Sequence, residues 1–216
     1  MNEPYITLAG RSDAELTEKK SHFLSFAAPV GSEAEAIAFI SEIRSAYPDA
    51  RHCVYAYRIT SAPPYTARYS DDGEPQGTGG LPVLDVLKKR DIGDAAIAVV
   101  RYFGGILLGA PGLVRAYSSS ASLAVRAAGL VRMTPLAPVT VSVSYPLWGR
   151  LEASAPRFSV SSGQPEYAEQ VKCTFYVYPE NTESAISAIA DICSGKAECS
   201  LGDIRYFAVP VEESGD

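Results

Sequence analysis

The chain has 216 residues, 47% of them hydrophobic and 20% charged, with 19 Lys plus Arg against 25 Asp plus Glu for a formal net charge of −6. That length and mix allow one large or two small folded domains and exclude collagenous, low-complexity and disordered classes. The apolar run Ala95 to Val100 is far shorter than the roughly 18 residues of a membrane span, and the opening MNEPYITLAG lacks the regions of a secretory signal, so a soluble cytoplasmic protein that meets no membrane is expected.

Strand-like alternation in Tyr5 to Ala9 and the mixed stretch Ser21 to Val30 come first. Ser32 with Glu35 then makes a capping box, and Ile37, Ile40 and Ile43 recur at helical spacing, which predicts a helix from about Glu33 to Tyr47 that ends before Pro48. CVYAYRI (Cys53 to Ile59) reads as a strand, and TARYS (Thr66 to Ser70) as its hairpin partner across a Pro63, Pro64 turn. After the loop SDDGEPQGTGG a helix begins near Leu81, with Val83, Leu84 and Leu87 inward, and the AIAVV run is an interior strand. A second glycine loop, FGGILLGAPG, feeds a helix on which Leu113, Tyr117, Ala121 and Ala124 share a face, closed at Gly129.

Thr134 to Pro138, with two prolines in five positions, reads as a linker, so domains are expected at 1–134 and 135–216. Beyond it the order is strand (PVTVSVSY), helix (LWGRLEAS), strands (RFSVSS, EQVKCTFYVY), a helix capped by Asn181 and closed at Gly195, and a last strand (SLGDIRYFAV). That βαββαβ order belongs to a ferredoxin-like sandwich. Residues 1–134 carry 14 basic and 14 acidic side chains and residues 135–216 carry 5 and 11, so the net negative charge lies in the last third. An acidic chain is a poor general nucleic-acid binder, yet a neutral first part can carry a local basic face from Arg51, Arg58, Arg68, Arg101 and Arg115. Cys53, Cys173, Cys193 and Cys199 lack the close pairing of a zinc site and read as free thiols.

Chemistry concentrates in the two glycine loops, Ser70 to Gly80 and Arg101 to Tyr117, each of which opens a helix. Amides freed by Gly77, Gly79, Gly80, Gly104, Gly105, Gly109 and Gly112 can face an anion such as phosphate; equally, such glycines make tight turns. Neither loop is a Walker motif or a dinucleotide fingerprint. Arg101 and Arg115, the latter in the first turn of its helix, offer planar forks to phosphate or carboxylate, or pair internally with Asp71, Asp72 or Glu74. Those three acids could hold Mg²⁺ or act as a base, against a plain role in the turn that Asp-Asp-Gly selects. Tyr102 and Phe103 are placed to stack on a base or to cap a core.

SDDGEPQGTGGLPVLDVL, followed by VVRYFGGILLGAPGLVRAY, with DARHCVYAYR and KKSHF upstream, resembles the signature of the YigZ/IMPACT family across most of residues 17–130, and the tail from Val139 to Val209 is similar to the second domain of its bacterial members. The resemblance implies an α+β protein of two domains, ribosomal protein S5 domain 2-like and then ferredoxin-like, similar to the last domain of elongation factor G. The eukaryotic relative is a translation regulator that works by binding a partner of a stress-response kinase. This chain departs from the usual pattern in reading LGAPG for LGTGG and GTGG for GTAG, and Pro111 removes one amide from the second loop.

Carried over residue by residue, the motif nominates Asp71, Asp72, Gly73, Glu74, Gly77, Thr78, Arg101, Phe103, Gly104, Gly105, Gly109, Gly112, Arg115 and Tyr117 as a site for an anion, RNA or a partner. The expectation is a non-enzymatic regulator or accessory factor of translation that binds RNA, the ribosome or a translation-factor protein, without catalytic residues, metal, cofactor or sequence-specific DNA binding. The alternative is an enzyme, Mg²⁺-dependent, acting on a phosphorylated or carboxylated small molecule, with the three acids as metal ligands or base and the arginines as anion clamps.

Overall fold

The structure is a computed structural model that describes residues 3–61 and 65–211. Contacts divide it into two compact α+β units, one built mainly on Tyr5–Arg132 and the other on Met133–Phe207. Among the described residues no helix is long and apolar enough to cross a membrane.

The first unit runs β1 (Tyr5–Leu8), β2 (Ser12–Glu18), β3 (Ser21–Pro29), α1 (Glu33–Ala46), β4 (His52–Ile59), β5 (Thr66–Ser70), α2 (Gly80–Lys89), β6 (Ala95–Tyr102) and α3 (Gly109–Ala128). Strands β2 to β6 form one antiparallel sheet in the order β2-β3-β6-β4-β5. The AIAVV run lies in its central strand and is buried on both faces. Ala95, Ile97 and Val99 pack with Leu84 and Leu87 of α2 and Leu113 and Tyr117 of α3, while Ala96, Ala98 and Val100 pack with Phe39, Ile40 and Ile43 of α1. Each fully buried Leu, Ile or Phe contributes about 1.5–3 kcal/mol. The same two-residue period turns Arg101 to the α2/α3 face at the strand's end.

Local signals explain the helix ends. Ser32 Oγ accepts the Glu35 amide at 3.2 Å, and Glu35 reaches back to the Gly31 amide at 2.8 Å, one residue short of a strict capping box. Ile37 departs from its expected inward face: it is 55% exposed, because Ala36, Phe39, Ile40 and Ile43 make the buried stripe. Strand β2 is not expected from the sequence, since three of the seven residues of SDAELTE are acidic, yet its alternation matches an edge strand over α3, with Ala14 and Leu16 half-buried and the acids outside. The Pro63, Pro64 turn lies outside the described residues.

β7 (Leu130–Val143) carries the chain into the second unit. The expected linker Thr134 to Pro138 is therefore a correction: it sits inside a 14-residue strand with Thr134 to Ala137 buried. Two prolines are compatible with extended backbone where their nitrogens need not donate. α4 (Tyr145–Ser154), β8 (Ser161–Ser162), β9 (Glu166–Tyr167), β10 (Val171–Val177), α5 (Thr182–Ile192), β11 (Glu198–Leu201) and β12 (Arg205–Pro210) follow. Adjacent strands in the order β11-β7-β10-β8 are antiparallel. Trp148, Leu151, Phe175 and Ile189 fill the core between sheet and helices.

Three details differ from expectation. RFSVSS is mostly a 3₁₀ turn and loop, with only Ser161 and Ser162 in a strand, because Pro156 favours the turn. The last strand breaks at Gly202 to Ile204, where the Gly202 amide donates to the Pro138 carbonyl at 2.9 Å. Asn181 occupies the N-cap position of α5, but its side chain makes no cap hydrogen bond.

Candidate binding face

The first glycine loop closes on itself. Asp71 Oδ2 accepts the Gly77 amide at 2.8 Å, and Asp71 Oδ1 accepts those of Gly79 and Gly80 at 2.9 and 2.8 Å. These amides, expected to face an anion from outside, are taken by the chain's own carboxylate, which serves α2 as a cap from nine residues upstream of its first residue. Burial works to raise the Asp71 pKa, and the three amide donors outweigh it, so the carboxyl titrates below its ordinary range. Gly80 permits the close approach: a Cβ there would stand 2.7 Å from the Ser70 backbone.

Asp72 faces elsewhere. Its carboxylate takes Arg44 Nη2 at 2.8 Å and the Cys53 amide at 2.7 Å, and its carbonyl lies 2.8 Å from His52 Nδ1, so it fastens the loop to the start of β4. Gly73 follows beside the His52 ring, and buried Thr78 closes the loop's second turn through the Pro75 carbonyl. Glu74 turns inward. Its Oε1 accepts Arg101 Nη1 at 2.6 Å and the Tyr117 hydroxyl at 2.7 Å, in a cluster where all three residues are at least nine-tenths buried. Phe23 stands edge-on to the Tyr117 ring at 5.2 Å and beneath the Arg101 guanidinium at 5.4 Å, while buried Arg101 Nε has no hydrogen-bond partner. Burial, then the Glu74 charge, pushes the Tyr117 pKa far up, so Tyr117 donates and does not ionise.

The three carboxylates considered for Mg²⁺ thus serve three separate sets of donors, and among the described residues no three His, Cys, Asp or Glu gather in a metal-holding group. Arg101 and Arg115 do not share a surface as expected. Arg101 is internal; Arg115 is exposed and is the seventh residue of α3, because the helix already begins at Gly109 and takes the GAPG segment as its first turn. Cys53, Cys173 and Cys193 are buried free thiols and Cys199 an exposed one, and burial pushes the pKa of each up, away from nucleophilic thiolate.

The outer part of the motif is different in kind. Phe103, Ile106 and Leu107 are 52%, 43% and 83% exposed on the loop that runs through Gly104 and Gly105 to Gly109 and Gly112 of α3. Gly104 presses this loop onto the β2–β3 turn: a Cβ would fall within 2 Å of the Lys20 carbonyl, and the Gly104 amide donates to Ser21 Oγ at 3.3 Å. The turn itself holds Lys19 and Lys20 between the paired Glu18 and Ser21, with φ of 44° and 67°. Both central residues of such a turn need positive φ, which Asn-Gly satisfies and lysine adopts at a cost of about 1–2 kcal/mol each. Lys19, Glu18, Gly112, Arg115 and Ser119 line one cleft of about 360 Å³. Sequence reasoning missed the lysines; the signal was a two-residue polar gap between segments that alternate.

Residues 19–125 match the Impact N-terminal domain, and residues 141–196 match a domain of unknown function, DUF1949. The chain is 41% identical over 129 residues to the IMPACT family member YigZ of Escherichia coli, a match over 59% of this chain and 63% of that one. A crystal structure described as that of a hypothetical protein aligns over 99% of this chain and 100% of its own, at 30% identity and a TM-score of 0.59. The IMPACT family member YvyE of Bacillus subtilis is 32% identical over 207 residues, 96% of this chain and 95% of its own. With likeness running through both units, the chain belongs to the IMPACT family.

Proposed function

We propose that the chain is a non-enzymatic accessory factor of translation, cytoplasmic, that docks on the ribosome or a ribosome-associated partner through the outer face of the two motif loops. Family membership supports the link to translation, since the family's eukaryotic relative regulates it. The observation that carries the docking role is the contrast within the motif. Its acids are taken by the chain's own donors, Asp71 by loop amides, Asp72 by Arg44 and the Cys53 amide, and Glu74 by buried Arg101 and Tyr117, whereas Phe103, Ile106, Leu107 and Arg115 are exposed to solvent. An inward-turned polar set holds a loop in shape, and an outward apolar and cationic set has a partner to gain.

We further propose that residues 1–134 form a ribosomal protein S5 domain 2-like domain and residues 135–216 a ferredoxin-like one. The strand order β11-β7-β10-β8, antiparallel at each neighbour, supports the second name, and the division of contacts at Arg132 and Met133 supports the boundary. The test is sedimentation of the purified chain with ribosomes and separated subunits through sucrose at low and moderate salt. Wild type is expected to co-sediment, and Leu107→Asp with Arg115→Ala, both at exposed positions, to stay in the supernatant. Absence of wild type from the ribosomal pellet at both salts would overturn the proposal.

A further inference from the structure

We infer that this face is a single-stranded RNA site, in which Lys19, Lys20 and Arg115 hold backbone phosphates and the Phe103 ring takes an unstacked base; the inference rests on the docking reading above and names its ligand. The geometry that carries it joins three segments distant in sequence. Lys19 and Lys20 project from the β2–β3 turn, Arg115 from α3, and Phe103 from the end of β6, and the close approach of Gly104 to the Lys20–Ser21 backbone locks the aromatic loop against the lysine turn.

Charge complementarity selects the partner. Arg11, Arg44, Arg58 and Arg101 are each ion-paired, and Lys19, Lys20 and Arg115 belong to the larger set of cations that, among the described residues, have no acid within 4.0 Å; what sets these three apart is their placement beside the Phe103 loop and the cleft. Glu18 is the one acid lining the cleft between Lys19 and Arg115. Two cations and one acid line that cleft, and Lys20 follows Lys19 on the same turn, so the cleft carries a local positive excess on a chain whose net charge is −6. Phe103 distinguishes nucleic acid from an acidic peptide. The Arg101 guanidinium lies 5.7 Å over one side of the ring, steadying it, and the ring is half exposed, as a stacking platform requires. Stacking on a side chain needs a base free of its neighbours, which single strands supply and duplexes do not.

The full chain is titrated into a fluorescein-labelled 20-mer of uridylate and followed by anisotropy. Three phosphate contacts give a slope near 0.7 per contact in log affinity against log salt, so binding is expected to weaken about 20-fold between 50 and 200 mM salt. Lys19→Asn, Lys20→Asn and Arg115→Gln together remove the charges while Asn tolerates the positive φ, and the slope should fall to near zero. Phe103→Ala should weaken binding at least fivefold and leave the slope unchanged, the mark of a stacking contact. Failure of wild type to bind the oligonucleotide, or a triple variant with unaltered affinity and slope, would overturn the inference. Ribosome co-sedimentation without oligonucleotide binding overturns it while the docking role stands and a protein partner takes its place; oligonucleotide binding without co-sedimentation upholds it and overturns the ribosomal reading instead.

Discussion

At the scale of single residues, the motif's most acidic stretch is also its most internally committed. Asp71 holds three amides, so its folded pKa lies below its unfolded value, and the stability it contributes is present above about pH 4 and lost as pH falls through the folded pKa. Asp71→Asn removes that charge-assisted cap and should cost about 1–2 kcal/mol at neutral pH. The gap between wild type and variant should close as urea unfolding is repeated toward pH 3; a gap that holds constant with pH would show that the carboxylate charge contributes nothing. Lys19 and Lys20 run the other way. Lys19→Asn with Lys20→Gly supplies the turn residues that positive φ favours, and should raise Tm by about 2–4 °C for a gain near 1 kcal/mol while weakening RNA binding. An unchanged or lower Tm would mean that the lysine turn is not strained.

At the scale of elements, the Glu74–Arg101–Tyr117 cluster ties the first glycine loop to β6 and α3 at once. Removing one partner from a buried ion pair leaves the other charge uncompensated, which costs about 3–5 kcal/mol, whereas replacing both with apolar groups costs far less. Arg101→Met should therefore destabilise the chain strongly in urea unfolding and speed hydrogen exchange at the Gly77 to Gly80 amides; Glu74→Leu with Tyr117→Phe added to it removes the stranded charge and the orphaned hydroxyl together and should recover most of the loss. Equal stability of wild type and Arg101→Met would exclude a latch. The elements were legible where period or capping was strong: the central β6 run, the Ser32 cap and the α3 face from Leu113 to Ala124 all appear as read. The fate of the glycine amides was not, because a carboxylate reaching six to nine residues along a loop depends on the loop's path and leaves no periodic trace. Strand β2 was lost for a related reason, since an edge strand over a helix keeps its alternation but wears charges outside, and without it the Lys19–Lys20 turn had no strands to join.

At the scale of the whole molecule, the charge asymmetry of the sequence bears on how a single-stranded RNA would meet the chain. Residues 1–134 are neutral and residues 135–216 carry 5 basic against 11 acidic side chains, so a polyanion meets repulsion from one part of the chain and a local attraction from another. For the RNA site inferred above, that arrangement is expected to suppress unspecific adhesion and confine binding to the cationic turn, at the expense of a slower encounter. Glu166 and Glu169, exposed in the second unit, test this: Glu166→Lys with Glu169→Lys moves the net charge from −6 to −2 and leaves Lys19, Lys20, Phe103 and Arg115 unchanged. The association rate with the uridylate 20-mer should rise several-fold at 50 mM salt and return to the wild-type value near 300 mM, where exposed charges more than about 6 Å apart are screened. A dissociation rate that changed as much as the association rate would instead overturn the long-range electrostatic account, because screening of the encounter by remote charge acts on association.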